Sequence, residues 1–329
     1  MTRRQFLQTS AGALATRAGA AGKFRVVDVH VHVFNSKIQG SNGIPKYYPD
    51  STIEYQLELM DRGGVDKGFL ISYNADDVSS EIRGRGENPV ELAEVGNKKY
   101  QYGSWKAHKD RFWWFPDHIN PLREGFLDEL REDFNRGATG IKMLPIFHGL
   151  LPDHRAWRPV YDLCHKLRKP IIIDLSWWYW GRYAIYNENR ERQKLAAGFR
   201  NWGDYGKLLH PIFDEYKGVA WSLAHCGTAK VHDDYQYIFD ALQRHPNLSC
   251  DVAAVMDFSP KFIEELVKAA GPRKVMYGTD SPYWFKGPDS YKSGSRRWSI
   301  IADDCNFLTD AEKQLILAGN AERFTKNQS

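Results

Sequence analysis

The sequence is poor in cysteine, in clustered charge and in long apolar runs. Its 329 residues include four cysteines with no C-x-x-C pair, which argues against a disulfide scaffold and against a structural zinc site. The 45 basic and 41 acidic residues are spread along the chain with a net charge of +4, so nucleic acid is not an expected partner. No stretch approaches the roughly 18 apolar residues of a membrane span. These absences leave a globular protein whose expected partner is a small molecule.

Short β-branched or aromatic runs recur along the chain, each followed by a helical pattern, and this alternation is typical of parallel βα units. Eight such units close most naturally into a (β/α)₈ barrel, with an open doubly wound sheet as the alternative. The missing G-x-G-x-x-G and G-x-x-x-x-G-K-[ST] motifs give that alternative no support. The predicted strands run from Arg25 to Val31, Lys67 to Ser72, Phe112 to Ile119, Thr139 to Leu144, Pro170 to Leu175, Val219 to Ala224, Leu248 to Val252 and Val275 to Gly278.

Outer helices are expected between the strands, and four have clear start and stop signals. They are predicted at Thr52 to Arg62, Glu124 to Arg136, Ala156 to Leu167 and Ser259 to Ala270. The sequence contains no Pro/Gly-rich linker that would divide the chain. We therefore expect residues 23–329 to form one α/β domain, a single (β/α)₈ (TIM) barrel.

The first 22 residues have the pattern of an export signal. The segment Thr2-Arg3-Arg4-Gln5-Phe6-Leu7 resembles a twin-arginine signature, and Ala18-Gly19-Ala20 supplies a cleavage-like site. A merely basic, frayed terminus is the alternative. The prediction is a signal at residues 1–22 and a mature protein in the periplasm or outside the cell.

Titratable side chains stand where three predicted strands end. His30 and His32 are two residues apart on strand one, so their imidazoles are expected on the same side. His225 follows strand six and Asp280 follows strand eight. In a barrel these ends open onto one face, so the four side chains can converge on a divalent metal. Taken alone, the two histidines could equally be solvent-facing or hydrogen-bonded groups without a metal.

Together these motifs resemble the amidohydrolase superfamily, specifically its amidohydrolase-related branch of hydrolases and non-oxidative decarboxylases. The likeness rests on H-x-H at residues 30–32, A-H-C-G at residues 224–227 and Y-G-T-D-x-P at residues 277–282, and it extends from Val26 to Phe324. The resemblance implies that His30, His32 and Asp280 are metal ligands and that Asp280 handles the proton of the metal-activated water. It implies a nearby acid or base at His225, and one divalent ion, with zinc favoured over manganese.

Strand five departs from the family pattern, because it ends in Asp174 where the family usually places a histidine ligand. If Asp174 is a ligand, the site has two imidazoles and two carboxylates, and manganese becomes as plausible as zinc. Alternatively, Asp174 orients a ligand histidine, or the metal site is weakened or lost. Lys142 on strand four fits either as a charge partner of Asp174 or as a clamp for a substrate carboxylate, and less well as a carboxylated bridge to a second metal.

The remaining predictions concern the substrate. Polar and aromatic residues near strand ends are candidates to line its pocket, with core packing as the alternative for the aromatic ones. These candidates are Lys142, His148, Trp177, Trp178, Tyr283 and Trp284. The expected reaction is hydrolysis of a small organic amide, ester or lactone by a metal-activated water. The alternatives are non-oxidative decarboxylation of an aromatic or muconate-like acid and a non-catalytic exported binding protein. Homo-oligomerisation is left open by the sequence.

Overall fold

The computed structural model describes residues 23–33, 52–71, 98–116, 120–145, 150–175, 202–228, 232–255, 258–281 and 297–328. All eight predicted strands are present within their predicted bounds. They are β1 (Val27–Val31), β2 (Lys67–Ile71), β3 (Phe112–Phe115), β4 (Ile141–Met143), β5 (Ile171–Ile173), β6 (Trp221–Leu223), β7 (Leu248–Asp251) and β8 (Val275–Met276). The predicted export signal at residues 1–22 lies outside the described residues and stays a prediction.

The strands pair in parallel, in the order β1-β2-β3 and β4-β5-β6-β7-β8. Backbone hydrogen bonds join the two groups at both seams. The amide of Thr139 donates to the carbonyl of Trp114 at 2.8 Å, which joins the β4 side to β3. The amide of Val29 donates to the carbonyl of Tyr277 at 3.0 Å, and Val31 forms a parallel bridge with Ser281. The sheet therefore closes on itself, and the predicted (β/α)₈ barrel is confirmed.

Helices alternate with the strands as the sequence pattern predicts. They are α1 (Ile53–Gly63), α2 (Lys98–Ala107), α3 (Phe126–Arg136), α4 (Arg158–Leu167), α5 (Trp202–Glu215), α6 (His232–Arg244), α7 (Pro260–Ala270), α8 (Asp310–Gln314) and α9 (Asn320–Thr325). Short 3₁₀ segments occupy Arg155–Trp157 and Pro272–Lys274, a kinked turn occupies Ala224–Thr228, and π segments occupy Ile300–Asp304 and Leu315–Gly319. Across the described ranges, no helix combines the length and apolar character that a bilayer crossing requires.

The helix boundaries follow from local chemistry. Thr52 caps α1 by accepting a hydrogen bond from the amide of Tyr55, and Ser259 caps α7 in the same way from Phe262. Gly137, which follows α3, has a φ of 112°, a conformation that glycine adopts at little cost. These are the start and stop signals on which the sequence prediction depends.

The end of the barrel at which the strands begin is closed by the C-terminal helix. Phe324 of α9 stacks on Phe69 and Phe115 from β2 and β3, with ring centroids 6.2 Å from each. Asn327 then accepts a hydrogen bond from the amide of Ala220, just before β6. This end is therefore packed by aromatic rings, whereas His30, His32, Asp174 and Asp280 lie buried at the opposite, carboxyl-terminal end of the strands.

Candidate active site

His30 and His32 lie at the end of β1 with both rings buried and their centroids 5.2 Å apart. The register of β1 against β2 shifts between Asp28 and Val31, an irregularity of the kind that re-aims side chains beside functional sites. His32 Nδ1 lies 3.1 Å from the carbonyl oxygen of Ile71, which fixes the ring proton of the neutral imidazole on Nδ1. Its Nε2 therefore carries a lone pair.

His30 is held in the corresponding tautomer by a carboxylate. Its Nδ1 lies 3.4 Å from Oδ2 of Asp251, an acceptor that favours a proton on Nδ1. The Nε2 lone pair of His30 is then directed to the same region as that of His32. A carboxylate or carbonyl behind each ring is the usual support of a metal-ligating histidine.

Asp280 brings its carboxylate to both Nε2 atoms. Its Oδ1 lies 3.4 Å from His30 Nε2 and 3.3 Å from His32 Nε2. The residue has a φ of 63°, a left-handed conformation that is costly for a residue with a Cβ. Its amide donates to the carbonyl of His30 at 2.9 Å, which ties the turn after β8 to β1. Strained backbone of this kind is concentrated at functional sites.

His225 stands in a second strained turn, directly after β6. His225, Cys226 and Gly227 are successively left-handed, with φ values of 56°, 50° and 71°. The turn is held by Asp251, whose Oδ1 accepts from the amide of His225 at 2.9 Å and from the amide of Ala253 at 3.1 Å. His225 Nδ1 lies 3.1 Å from the carbonyl oxygen of Ala253, so this nitrogen is a donor. The Nε2 atom therefore faces the centre of the site.

Asp174 and Lys142 are both buried and form an ion pair at 3.2 Å between Oδ2 and Nζ. The same Asp174 oxygen lies 3.3 Å from His225 Nε2. Lys142 Nζ also lies 2.8 Å from His30 Nε2. Asp174 thus stands between two cationic groups. Whether it also ligates a metal stays a prediction.

Asp251 and Asp28 are functional candidates that sequence reasoning missed. Asp251 orients His30 and His225 at once, and it is fully buried at the end of β7. The rule that identified Asp280, a polar residue where an apolar strand stops, would also have identified Asp251. Asp28 is a brace, because its carboxylate accepts from the amide and hydroxyl of Thr279 and joins β1 to the turn after β8. Its place inside a strand gave no such signal.

The electrostatics separate neutral from charged groups. Burial, with nearby Lys142 and His225, holds the pKa of His30 well below its usual value, and burial likewise lowers the pKa of His32. Burial also lowers the pKa of His225, but the carboxylates of Asp280 and Asp174 outweigh it and raise the pKa to about 9. At neutral pH His30 and His32 are therefore neutral, as ligands must be, whereas His225 is protonated.

Two of the acidic groups are also shifted. Burial raises the pKa of Asp251 to about 6, against the lowering effect of the positive charge and amide of His225. Burial raises the pKa of Asp28 to about 7, although the hydrogen bonds from Thr279 lower it. Shifted groups gathered at the carboxyl ends of barrel strands are typical of an active site.

The donor set fits a divalent metal. His30, His32 and Asp280 each offer one ligand atom, and these atoms lie within 4.8 Å of one another. A second group of the same spacing contains His30, His225 and Asp251. The first is the better candidate, because the amides of His225 and Ala253 and the ring of His30 already bind the Asp251 carboxylate. Two neutral imidazoles and one carboxylate suit zinc or manganese.

Of the residues predicted to line a substrate pocket, Lys142 lies within this centre. The others are outside the described residues, and their role stays a prediction. They are His148, Trp177, Trp178, Tyr283 and Trp284.

The chain forms a closed parallel (β/α)₈ barrel with a buried His/Asp centre at the carboxyl ends of its strands. The active sites of (β/α)₈-barrel enzymes lie at this end. The family model described as Amidohydrolase matches residues 27–325. The chain therefore belongs to the amidohydrolase family, as the resemblance of its motifs predicted. No curated protein matches the chain.

Solved structures of this fold include two decarboxylases and a probable hydrolase. 2,6-Dihydroxybenzoate decarboxylase from Rhizobium superimposes with a TM-score of 0.63 at 17% identity, covering 92% of this chain and 99% of that one. 5-Carboxyvanillate decarboxylase from Novosphingobium aromaticivorans, complexed with manganese and a nitrobenzoic acid, gives 0.63 at 15% identity, covering 94% and 97%. A probable 2-pyrone-4,6-dicarboxylic acid hydrolase from Acinetobacter baumannii, with citric acid bound, gives 0.59 at 16% identity, covering 92% and 99%.

Proposed function

We propose that this protein is a metal-dependent hydrolase of a small organic amide, ester or lactone. The observation that carries the proposal is the position of Asp280, whose Oδ1 faces the Nε2 atoms of both His30 and His32. In metal-free form this arrangement brings three electron-pair donors together, which favours a cation among them. A divalent cation bound there would supply Lewis acidity, polarising a substrate carbonyl and lowering the pKa of coordinated water towards 7.

The chain's own residues provide the proton transfers. Asp280 is placed to accept the proton of the attacking water, because its carboxylate is at the donor cluster and its second oxygen is not required by the two histidines. His225 is protonated at neutral pH, and its Nε2 lies 3.3 Å from Asp174 Oδ2 within the same centre. It can therefore donate a hydrogen bond to the developing oxyanion or a proton to the leaving group.

The second candidate function is non-oxidative decarboxylation of an aromatic or muconate-like acid. The observation in its favour is the buried positive charge of Lys142, with protonated His225 beside it. Buried cations would offset the charge of a substrate carboxylate on entry. In this reaction the bond to the carboxylate carbon breaks, its electron pair remains on the substrate carbon, and the proton of His225, which is protonated at neutral pH, replaces the lost CO₂. Two decarboxylases are among the solved structures that share this fold.

The two reactions are separated by their products. Protein loaded with zinc or manganese is incubated with a panel of lactones, esters and amides, and separately with aromatic carboxylic acids. Hydrolysis in H₂¹⁸O places label in the product carboxylate, whereas decarboxylation releases CO₂ and leaves no such label. Label incorporation that is lost in Asp280→Asn supports the hydrolase. Release of CO₂ without any hydrolysis would establish the second candidate instead, and turnover of neither class with bound metal would favour a non-catalytic binding protein.

We also propose that residues 1–22 direct export to the periplasm. The paired arginines and the Ala18-Gly19-Ala20 site support the proposal. N-terminal sequencing of the protein expressed in a bacterium with a twin-arginine pathway should give a mature chain that begins near Ala21. Recovery of an intact N-terminus solely from the cytoplasm would contradict export.

A further inference from the structure

The ammonium group of Lys142 lies beside the proposed metal site. The side chain is buried, and its Nζ lies 2.8 Å from His30 Nε2 and 3.2 Å from Asp174 Oδ2. A buried ammonium requires such partners, because its transfer from water is otherwise very costly. His30 and Asp174 therefore help to hold Lys142 in the barrel. The hydrogen bond from Lys142 in turn uses the lone pair of His30 Nε2 that a metal would need.

The competition arises from a single lone pair. Asp251 lies behind His30 at Nδ1, so the ring proton is on Nδ1 and only Nε2 has a lone pair to offer. That lone pair can accept a hydrogen bond from Lys142 or bind a metal, but it cannot do both. The two cations would also repel one another strongly at such a short separation inside the barrel.

The position of Asp174 makes the exchange reversible. Asp174 Oδ2 is within reach of Lys142 Nζ, and it also faces His225 Nε2. An ammonium that leaves His30 therefore keeps a charge partner on strand five. A neutral residue at position 142 would remove the competitor, while Asp174 would keep its contact with His225.

We propose that Lys142 is an internal competitor of the divalent metal: its ammonium holds the lone pair of His30 Nε2 in the metal-free protein and is displaced from it when metal binds. The proposal rests on the metal-dependent function proposed above. It assigns Lys142 a positioning role that sets metal affinity, and it predicts that this wild-type site binds metal more weakly than its donor set allows.

The test is calorimetric titration of chelator-treated protein with MnCl₂ and ZnCl₂. Wild type is compared with Lys142→Met and Lys142→Gln, after circular dichroism has confirmed that each is folded. Losing a charge-assisted hydrogen bond that opposes binding should tighten metal affinity by about 10- to 100-fold. Lys169→Met is the matched control, because it removes a half-buried lysine at the opposite end of the barrel, where Nζ donates to the carbonyl of Ala138. Its metal affinity should equal that of wild type.

The outcomes separate this proposal from the metal-dependent function. Tighter metal binding in the neutral variants supports the competitor role, even if wild type binds no metal. Absence of metal binding by wild type would in that case overturn only the metal dependence of the proposed function. Binding that is unchanged or weaker in folded neutral variants overturns the competitor role and leaves the metal function standing. Failure of every protein to bind overturns both. If the neutral variants do not fold, a crystal structure of wild type soaked with zinc tests the proposal instead. Lys142 Nζ should then lie beyond hydrogen-bond distance of His30 Nε2. A retained contact between these two atoms contradicts the proposal.

Discussion

Among the residues that the structure describes, the barrel pair His30/His32 and the outer pair His210/His245 each lie beside a carboxylate, and the barrel pair has the form of a metal site. In the outer pair, Nδ1 of His210 on α5 lies 2.5 Å from Nε2 of His245, and His245 Nδ1 lies 3.3 Å from Asp214. One ring must therefore donate to the other, which uses a lone pair in a hydrogen bond. In the barrel, His30 and His32 each direct Nδ1 to an acceptor behind the ring and Nε2 to Asp280. The direction of the lone pairs, and not the nearness of histidines to a carboxylate, therefore distinguishes a metal centre.

The largest expected effect is on catalysis by Asp280. Asp280→Asn keeps the shape of the side chain but cannot accept the proton of the attacking water, so the rate should fall by about 10²- to 10⁴-fold. Steady-state kinetics of the metal-loaded protein measures it. Asp214→Asn makes the same change beside the outer pair and should leave the rate within about twofold. Equal effects of the two substitutions would contradict the distinction between the pairs.

Asp251→Asn should have the next largest effect, because it reverses the tautomer of His30. The Oδ1 of asparagine can still accept from the amides of His225 and Ala253, but an amide NH₂ would replace Oδ2 and donate to His30 Nδ1. The ring proton would move to Nε2 and block the metal. We expect metal affinity to fall by about 10- to 100-fold, as measured by titration with zinc. Undiminished affinity in a folded variant would show that Asp251 does not orient the ligand.

Asp174 decides whether the site resembles the usual family pattern. If Asp174 is a ligand, Asp174→His restores the family's usual donor and should shift metal preference towards zinc, while Asp174→Ala should lower affinity strongly. If Asp174 only orients its neighbours, Asp174→Ala should keep the metal with about 10- to 100-fold weaker affinity. Parallel titrations with zinc and manganese measure both variants. Full affinity and activity in Asp174→Ala would exclude both roles.

The smallest expected effect concerns stability at the outer pair. Burial, followed by the charge of His210, lowers the pKa of His245 to about 4, against about 6.5 in an unfolded chain. The unfolded chain therefore binds the extra proton first, and stability that is fully present above pH 6.5 is lost as the pH falls towards 4. The loss between pH 7.5 and pH 5 should be about 2 kcal/mol.

Urea denaturation of wild type and His245→Gln at the two pH values checks this effect. The variant lacks the titrating ring, so its stability should fall less on acidification by about the same amount. The buried acids Asp28 and Asp251 titrate in both proteins, and their contribution cancels in the difference. An identical pH dependence of the two proteins would contradict the assignment.

Much of the fold could be predicted from the sequence because its signals are local. Each strand is a short apolar run, and the helix ends carry residues such as Thr52, Ser259 and Gly137 that act within a few positions. The position of His225 and Asp280 after apolar strands was similarly local. The left-handed backbone of these two residues has no local signal in the sequence. It is imposed by contacts between strands, such as the hydrogen bond from the amide of Asp280 to the carbonyl of His30.

The parts of the site that escaped prediction depend on residues far apart in sequence. Lys142 and His30 are separated by 112 positions and Asp251 and His30 by 221, and no pattern along the chain encodes their contacts. The sequence could name Lys142 as a partner of Asp174, but it gave no sign that the same ammonium reaches a candidate metal ligand. A barrel brings strand ends together, and the packing of each side chain then decides which pairs touch.

The most direct test of the central claim is the metal content of protein purified without chelators and dialysed against buffer containing manganese or zinc. We expect about one divalent ion per chain in wild type, its loss in the His30→Ala/His32→Ala double variant, and its retention in His210→Ala/His245→Ala. Elemental analysis of the three proteins measures it. Equal metal content in the two double variants, or none in wild type, would contradict the claim that the barrel pair is the metal centre.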